Sequence, residues 1–572
     1  MNRRRIPGRA VGPGLGSRAL QLFCLAGMCA VSATGQPRGA FEDVTQQAGI
    51  DWSHFNGESQ DRHLIEATTG GLGFLDYDND GLLDLFLVNG GETPRGTSER
   101  PVHHALYRNM GNGRFRDVAQ EAGVARTPFY GMGIAAADYD NDGDQDIYVT
   151  GYPESALFRN DRGVFAQVTW AAGVRNQGRW GAGAAWFDFD RDGLLDLFVC
   201  NYAELSFEHP KRCAYAGEPT YCEQKIYPGQ VSALFRNRGD GSFEDATAKA
   251  GIDGLAGRAL GVVAVDVNND GWTDLYVARD GSPDQLLLNK RNGTLADVGL
   301  EAEISYDPDG AALAGMGVDA GDVDGDGWPD LAVTNFHDEY HTLWRHSGGF
   351  PFDNLTHSSG LARHTRPYVG WGVRMLDFDN DSDLDLMIVN GHVNRMIELT
   401  RRDVTYREPP LLLANDGHGT FENISSEAGP VFQQGHVARG LAAGDFDNDG
   451  DEDVAFMRLG ERPFLLRNRV GQDASWIGLS LRGTISNRDA IGARVVLRTS
   501  RRQQLRWVLG GGGFLASHDR RIVFGLGPGE PPSSVTVEIR WPNGSFDRFS
   551  DLAPNRYHRL VESAPAHDQS TR

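Results

Sequence analysis

Cysteine is scarce, with five residues in a chain of 572, and no spacing among them makes a zinc site. Cys24 and Cys29 lie near the N-terminus, and Cys200 ends an apolar stretch and reads as a buried free thiol. Cys213 and Cys222 share one insertion, where an exported setting allows them to pair. Long apolar runs are also missing, so no segment reaches the length of a membrane span. Positive charge is in deficit. Lys and Arg number 55 against 78 Asp and Glu, for a formal charge of -23. That balance argues against nucleic acid and anionic membranes, and suits cationic partners. No phosphate loop, nucleophile elbow or Ser-His-Asp arrangement occurs, so no catalytic residue and no organic cofactor is singled out.

The first residues read as an export signal, residues 1–33. Arg3, Arg4, Arg5 and Arg9 make a basic start, Ala19 to Val31 is apolar, and Val31-Ser32-Ala33 offers a small-residue cleavage site. The expected location is therefore secreted or periplasmic.

What the chain has in excess is glycine, 73 residues, often beside Asp. Both favour turns, so many short strands are expected rather than long helices. The pattern Asp-x-Asp-x-Asp-Gly-x-x-Asp-apolar occurs seven times with small variations, starting at Asp76, Asp138, Asp188, Asp266, Asp322, Asp377 and Asp445. Successive copies are 50 to 78 residues apart, the length of a propeller blade with loop insertions. Five residues before each start stands a glycine: Gly71, Gly133, Gly183, Gly261, Gly317, Gly372 and Gly440. Such small positions suit innermost strands crowded around an axis.

After each loop comes an apolar strand such as Asp84-Leu85-Phe86-Leu87, then a hairpin such as Leu106-Tyr107-Arg108-Asn109 with Phe115-Arg116-Asp117. Four strands per unit make one blade. The seventh unit lacks an outer arm, and Phe41-Glu42-Asp43-Val44-Thr45 is an arm without a partner; it is expected to complete that unit. The fold expected is all-β, a seven-bladed β-propeller over residues 41–470. A small β-sandwich-like domain follows over 475–562, then a polar tail, 563–572, expected to be disordered.

The loops carry the chemistry. Hard cations such as Ca2+ take several oxygen ligands in a flexible cage. Loop positions one, three, five and nine offer side-chain oxygens, and the glycine at six makes the bend. The candidate ligands are Asp76, Asp78, Asp80 and Asp84 in the first loop, then Asp138, Asp140, Asp142 and Asp146 in the second. The third offers Asp188, Asp190, Asp192 and Asp196, and the fourth Asp266, Asn268, Asp270 and Asp274. The fifth offers Asp322, Asp324, Asp326 and Asp330, and the sixth Asp377, Asp379, Asp381 and Asp385. The seventh offers Asp445, Asp447, Asp449 and Asp453. Four carboxylates in one short turn repel and need compensation, which acidic turns without metal would not supply. Asn268 loses a charge and Ser382 replaces the turn glycine, so weaker or absent metal is expected in the fourth and sixth loops.

These repeats resemble FG-GAP or VCBS repeats, and the C-terminal part resembles the ASPIC/UnbV domain. The latter likeness rests on Ser486-Asn487-Arg488-Asp489-Ala490-Ile491-Gly492-Ala493-Arg494, Gly510-Gly511-Gly512-Gly513-Phe514-Leu515, Phe524-Gly525-Leu526-Gly527 and Trp541-Pro542-Asn543-Gly544. The order of parts is similar to the cartilage-acidic-protein-like family. The resemblance implies an exported calcium-binding protein and no settled reaction.

Two functions compete. One is an extracellular module binding an unknown protein or glycan through propeller loops. The other is an enzyme, a lyase, hydrolase or cyclase, at an axial mouth lined by His63, Glu66, Tyr130, Arg179, Trp180, Arg258, Tyr368, Trp371, His436 and Arg439. Lesser signals are Arg238-Gly239-Asp240, read as a hairpin turn, and His337, His341 and His346, whose placement on a hairpin disfavours a transition-metal site.

Overall fold

The computed structural model describes residues 39–215 and 217–564. The expected export signal lies outside them, as does the tail beyond Ala564. The described chain is all-β, and among the described residues no helix is long and apolar enough to cross a membrane.

Seven antiparallel sheets each hold four strands of the repeats. In the first they are Leu72–Leu75, Asp84–Leu87, Ala105–Asn109 and Phe115–Asp117. The first two are buried on both faces, as a short continuous apolar run bounded by turns should be. The fourth buries Phe115 and exposes Arg116 and Asp117. In every sheet the last Asp of the acidic loop opens the second strand: Asp84, Asp146, Asp196, Asp274, Asp330, Asp385 and Asp453. The seventh sheet takes its outer strand from the start of the chain, with Phe41 opposite Asn468 and Asp43 opposite Leu466.

The first strands of the sheets adjoin one another in chain order, and that of the seventh sheet, Ala438–Gly444, adjoins that of the first. The recurrent glycines sit at these contacts. A Cβ on Gly261 would lie 2.3 Å from the carbonyl oxygen of Met316, and one on Gly440 would lie 2.7 Å from that of Gly70. No larger residue fits. Neighbouring sheets share apolar layers; the seventh and first meet through Ala442, Phe446, Ala455 and Met457 against Leu72, Phe74 and Leu85.

Beyond the repeats, one sheet joins Ala474–Arg482 with Ile522–Pro528 and Tyr557–Val561. Another joins Arg494–Arg498 with Gln503–Trp507, Val535–Arg540 and Phe546–Leu552. Their buried residues, among them Ile477, Val495, Phe524 and Val537, form one core with Tyr139, Trp186 and Leu197 of the repeats. The segment between them enters the middle of the repeats. Gly510 and Gly511 pair with Ala264 and Val263, and Ala516 and Ser517 pair with Leu72 and Gly73. Gly513 N–H donates to Val318 O at 2.7 Å, and the Phe514 ring meets Trp371 edge-on at 4.8 Å.

Candidate metal centres in the acidic loops

Each loop folds on its first carboxylate. Asp76 accepts hydrogen bonds from the N–H groups of Asp80 and Gly81, both at 3.0 Å, which curls the turn around it. Asp138, Asp188, Asp266 and Asp445 repeat the pair of bonds with their own fifth and sixth residues. At position nine, Asp84 accepts from Tyr77 N–H at 3.1 Å and from Asn109 N–H at 2.7 Å. That carboxylate ties the loop to the hairpin, and it and its six counterparts are all buried.

The side chains at positions one, three and nine converge. Asp76, Asp78 and Asp84 offer oxygens within 4.8 Å of one another, as do Asp138, Asp140 and Asp146, and Asp188, Asp190 and Asp196. Asp322, Asp324 and Asp330 do the same, and so do Asp377, Asp379 and Asp385. Burial, with neighbouring carboxylates adding to it, pushes Asp76 up to about 6 and Asp138 and Asp188 up to about 7. Buried oxygens without a partner remain in the clusters: Oδ1 of Asp78, Asp140, Asp190 and Asp447. Crowded, desolvated, under-satisfied carboxylate oxygens are the donor set a hard divalent cation requires, so these clusters could hold a metal.

Both departures keep their loop shape. Asn268 Oδ1 accepts from Asp270 N–H at 3.0 Å, in place of a carboxylate. Ser382 takes a φ of 89° where the other loops have glycine, and its hydroxyl donates to Gly525 O at 2.9 Å. The sixth cluster is thus assembled despite the substitution, held by a bond from outside the repeat.

Sequence reading missed the residues around the loops. An arginine from the hairpin arm flanks several of them: Arg108 Nε lies 2.7 Å from Asp78, and Arg467 Nε lies 3.0 Å from Asp447. Its signal was the recurring Arg-Asn pair at the end of that arm. The C-terminal sheets supply more. Asp489 accepts from Asp138 N–H at 2.7 Å, and Tyr557 Oη donates to Asp445 Oδ2 at 2.7 Å. Arg540 donates to Asn269 O at 3.0 Å. Nothing local in the sequence signals these long-range contacts.

The remaining candidates disperse. His341 Nδ1 accepts from Asn335 N–H, and His346 packs on Phe352 at 4.4 Å. His337 lies against His392, with 3.3 Å between ring nitrogens. Arg238-Gly239-Asp240 is the turn between Ala233–Asn237 and Phe243–Asp245. Cys213 and Cys222 are bonded, and Cys200 is buried and free. Of the axial residues, Tyr130, Trp180 and Trp371 pack with Phe514 and Leu515 in one apolar cluster. Glu66 is buried and accepts from Ser59 Oγ at 2.7 Å.

A family model described as FG-GAP-like repeat matches residues 76–149, 139–199, 226–277, 266–333 and 322–388, together just over half of the chain. A second, described as ASPIC and UnbV, matches residues 483–567. Cartilage acidic protein 1 of Homo sapiens is 25% identical over 346 residues, 59% of this chain and 48% of that protein. The Mus musculus protein of that name is 26% identical over 322 residues, 54% of this chain and 46% of its own length. The chain thus spans about half the length of the curated relatives it matches. Among solved structures, an Agrocybe aegerita lectin described as recognising non-reducing terminal N-acetylglucosamine is similar at a TM-score of 0.35 and 15% identity, over 64% of this chain and 84% of its own. The exotype rhamnogalacturonan lyase YesX is similar at a TM-score of 0.30 and 13% identity, over 88% of this chain and 91% of its own. Likenesses of that size carry no argument about what this chain does.

Proposed function

The chain belongs to the FG-GAP-like repeat family and carries an ASPIC and UnbV region, and from that premise we propose that it is an exported calcium-binding β-propeller acting as an interaction module. The propeller has seven blades over residues 41–470, one for each four-stranded repeat sheet, and residues 475–562 form the second, sandwich-like domain. The adjoining of the seventh and first sheets supports a closed ring. Residues 1–33 direct export, to the outside or the periplasm, and the partner is a protein or glycan.

The observation that carries the reading is the set of buried, unpartnered oxygens on Asp78, Asp140, Asp190 and Asp447. A Ca2+ ion would be held by positions one, three, five and nine of most loops, where it neutralises the crowded carboxylates and joins two strands of a blade. An axial enzyme finds less support, because Gly510 to Ser517 fill the middle of the repeats. The test is a count of calcium bound per chain by equilibrium dialysis. The wild type binds several ions and Asp78→Ala binds one fewer; a wild type that binds none, or a variant with an unchanged count, overturns the reading.

A further inference from the structure

At the end of the axis away from the acidic loops, the seventh repeat places an arginine where a charge is least welcome. Arg439 is fully buried, and its guanidinium lies 4.0 Å above the Trp371 ring. Nε donates to Ala67 O at 2.6 Å, and Nη1 donates to Gly391 O at 3.0 Å and to Ala438 O at 2.6 Å. Nη2 has no partner. No carboxylate among the described residues pairs with this cation; the buried Glu408 and the rings of His54 and His392 are the titratable groups around it, with Tyr221 and Tyr406. A buried guanidinium with a free N–H and no ion pair is costly unless something negative completes it.

Arg439 lines a small cavity of about 30 Å³ together with Tyr406, Arg395, Tyr221 and Glu58. The polar groups there are unevenly used. Arg395 donates to Tyr406 Oη at 3.3 Å and to Glu58 Oε2 at 2.6 Å, and Arg62 takes the other Glu58 oxygen, so the one acid of the wall is already answered. The Tyr221 hydroxyl donates to Glu66 at 3.4 Å. Two N–H or O–H donors are left over, the buried Arg439 Nη2 and the half-exposed Tyr406 hydroxyl, which accepts from Arg395 and donates to no described residue. These two unused donors stand beside a buried cation that forms no ion pair with its neighbour Glu408, and such a donor set suits an anion.

We propose that this axial cavity binds the carboxylate group of a small acidic ligand, with Arg439 Nη2 and the Tyr406 hydroxyl as its donors. The cavity admits the carboxylate head alone, and the rest of the ligand extends into the mouth beside Arg395. This site is separate from the acidic loops.

The test is isothermal titration calorimetry of the full chain with glucuronate, glucose and chloride, in a buffer free of other small anions. Glucuronate is expected to bind saturably and glucose not to bind. Tyr406→Phe removes one hydrogen bond to a charged group and should weaken glucuronate about tenfold or more, and Arg439→Met should abolish binding. Should Arg439→Met fail to fold, Tyr406→Phe decides alone. The proposal is overturned if glucuronate gives no saturable heat, if glucose binds as well, if chloride binds and glucuronate does not, or if Tyr406→Phe binds as the wild type does.

Discussion

The side-chain amide of Asn109 donates to the main-chain carbonyl of Phe446 at 2.7 Å, joining the first repeat to the seventh. The same bond recurs between neighbours, from Asn160 to Tyr77, Asn237 to Tyr139, Asn289 to Phe189, Asn415 to Val323 and Asn468 to Phe378. Each asparagine also fixes its own loop: Asn109 N–H holds the buried Asp84. The acidic loops and the contacts between sheets are therefore one system, and disturbing either disturbs the other.

Asn109→Ala removes the amide and leaves buried carbonyls of Phe446 and Leu83 unanswered. The expected loss is about 2–3 kcal/mol, read as a lower urea midpoint. Asn112→Ala, on the exposed turn of the same hairpin, should change stability by less than about 0.5 kcal/mol. Equal effects would mean that the bond between repeats contributes nothing.

Phe514 is fully buried against Trp371, in the segment from the C-terminal part that lies among the repeats. Phe514→Ala should cost about 3–5 kcal/mol. Because the C-terminal sheets share a core with the repeats, that loss should move one cooperative transition. Two transitions, with only the smaller one moved, would show the two parts to be independent.

Burial pushes Glu66 up to about 7 from an ordinary value near 4.5, against the pull of its bonds from Ser59. A carboxyl whose folded pKa is raised stabilises the fold while protonated. That contribution is complete below the unfolded value and is lost as pH rises through 7, by up to about 3 kcal/mol. The melting temperature of the wild type should fall between pH 5 and pH 8, and Glu66→Gln should flatten the fall. A variant with the same slope would contradict the assignment.

Much of the fold was legible because its signals are local and repeated. The acidic loop, the glycine five residues before it and the paired hairpin arms recur at each repeat, and Phe41-Glu42-Asp43 reads as an arm without a partner, which the structure pairs with Leu466–Asn468. The acidic clusters, which could hold a metal, are legible for the same reason, since three of their side chains lie within nine residues of chain. What stayed hidden acts over long distances. Gly510 and Gly511 looked like a family mark, yet their lack of a Cβ serves a close approach: a Cβ on Gly510 would lie 2.0 Å from Trp186 O. The Asn109 side chain was one letter in a strand, and its partner lies 337 residues away. Ser382 looked like a defect in the turn; its stabilising contact with Gly525 comes from another part of the chain.

The central claim is that metal neutralises the buried acidic loops and thereby holds the repeats together, and the melting temperature with and without a chelator tests it most directly. The chain stripped with EDTA should melt well below the calcium-loaded chain, and returning calcium should restore the transition. An unchanged melting temperature in EDTA, with calcium shown to be removed, would contradict the account.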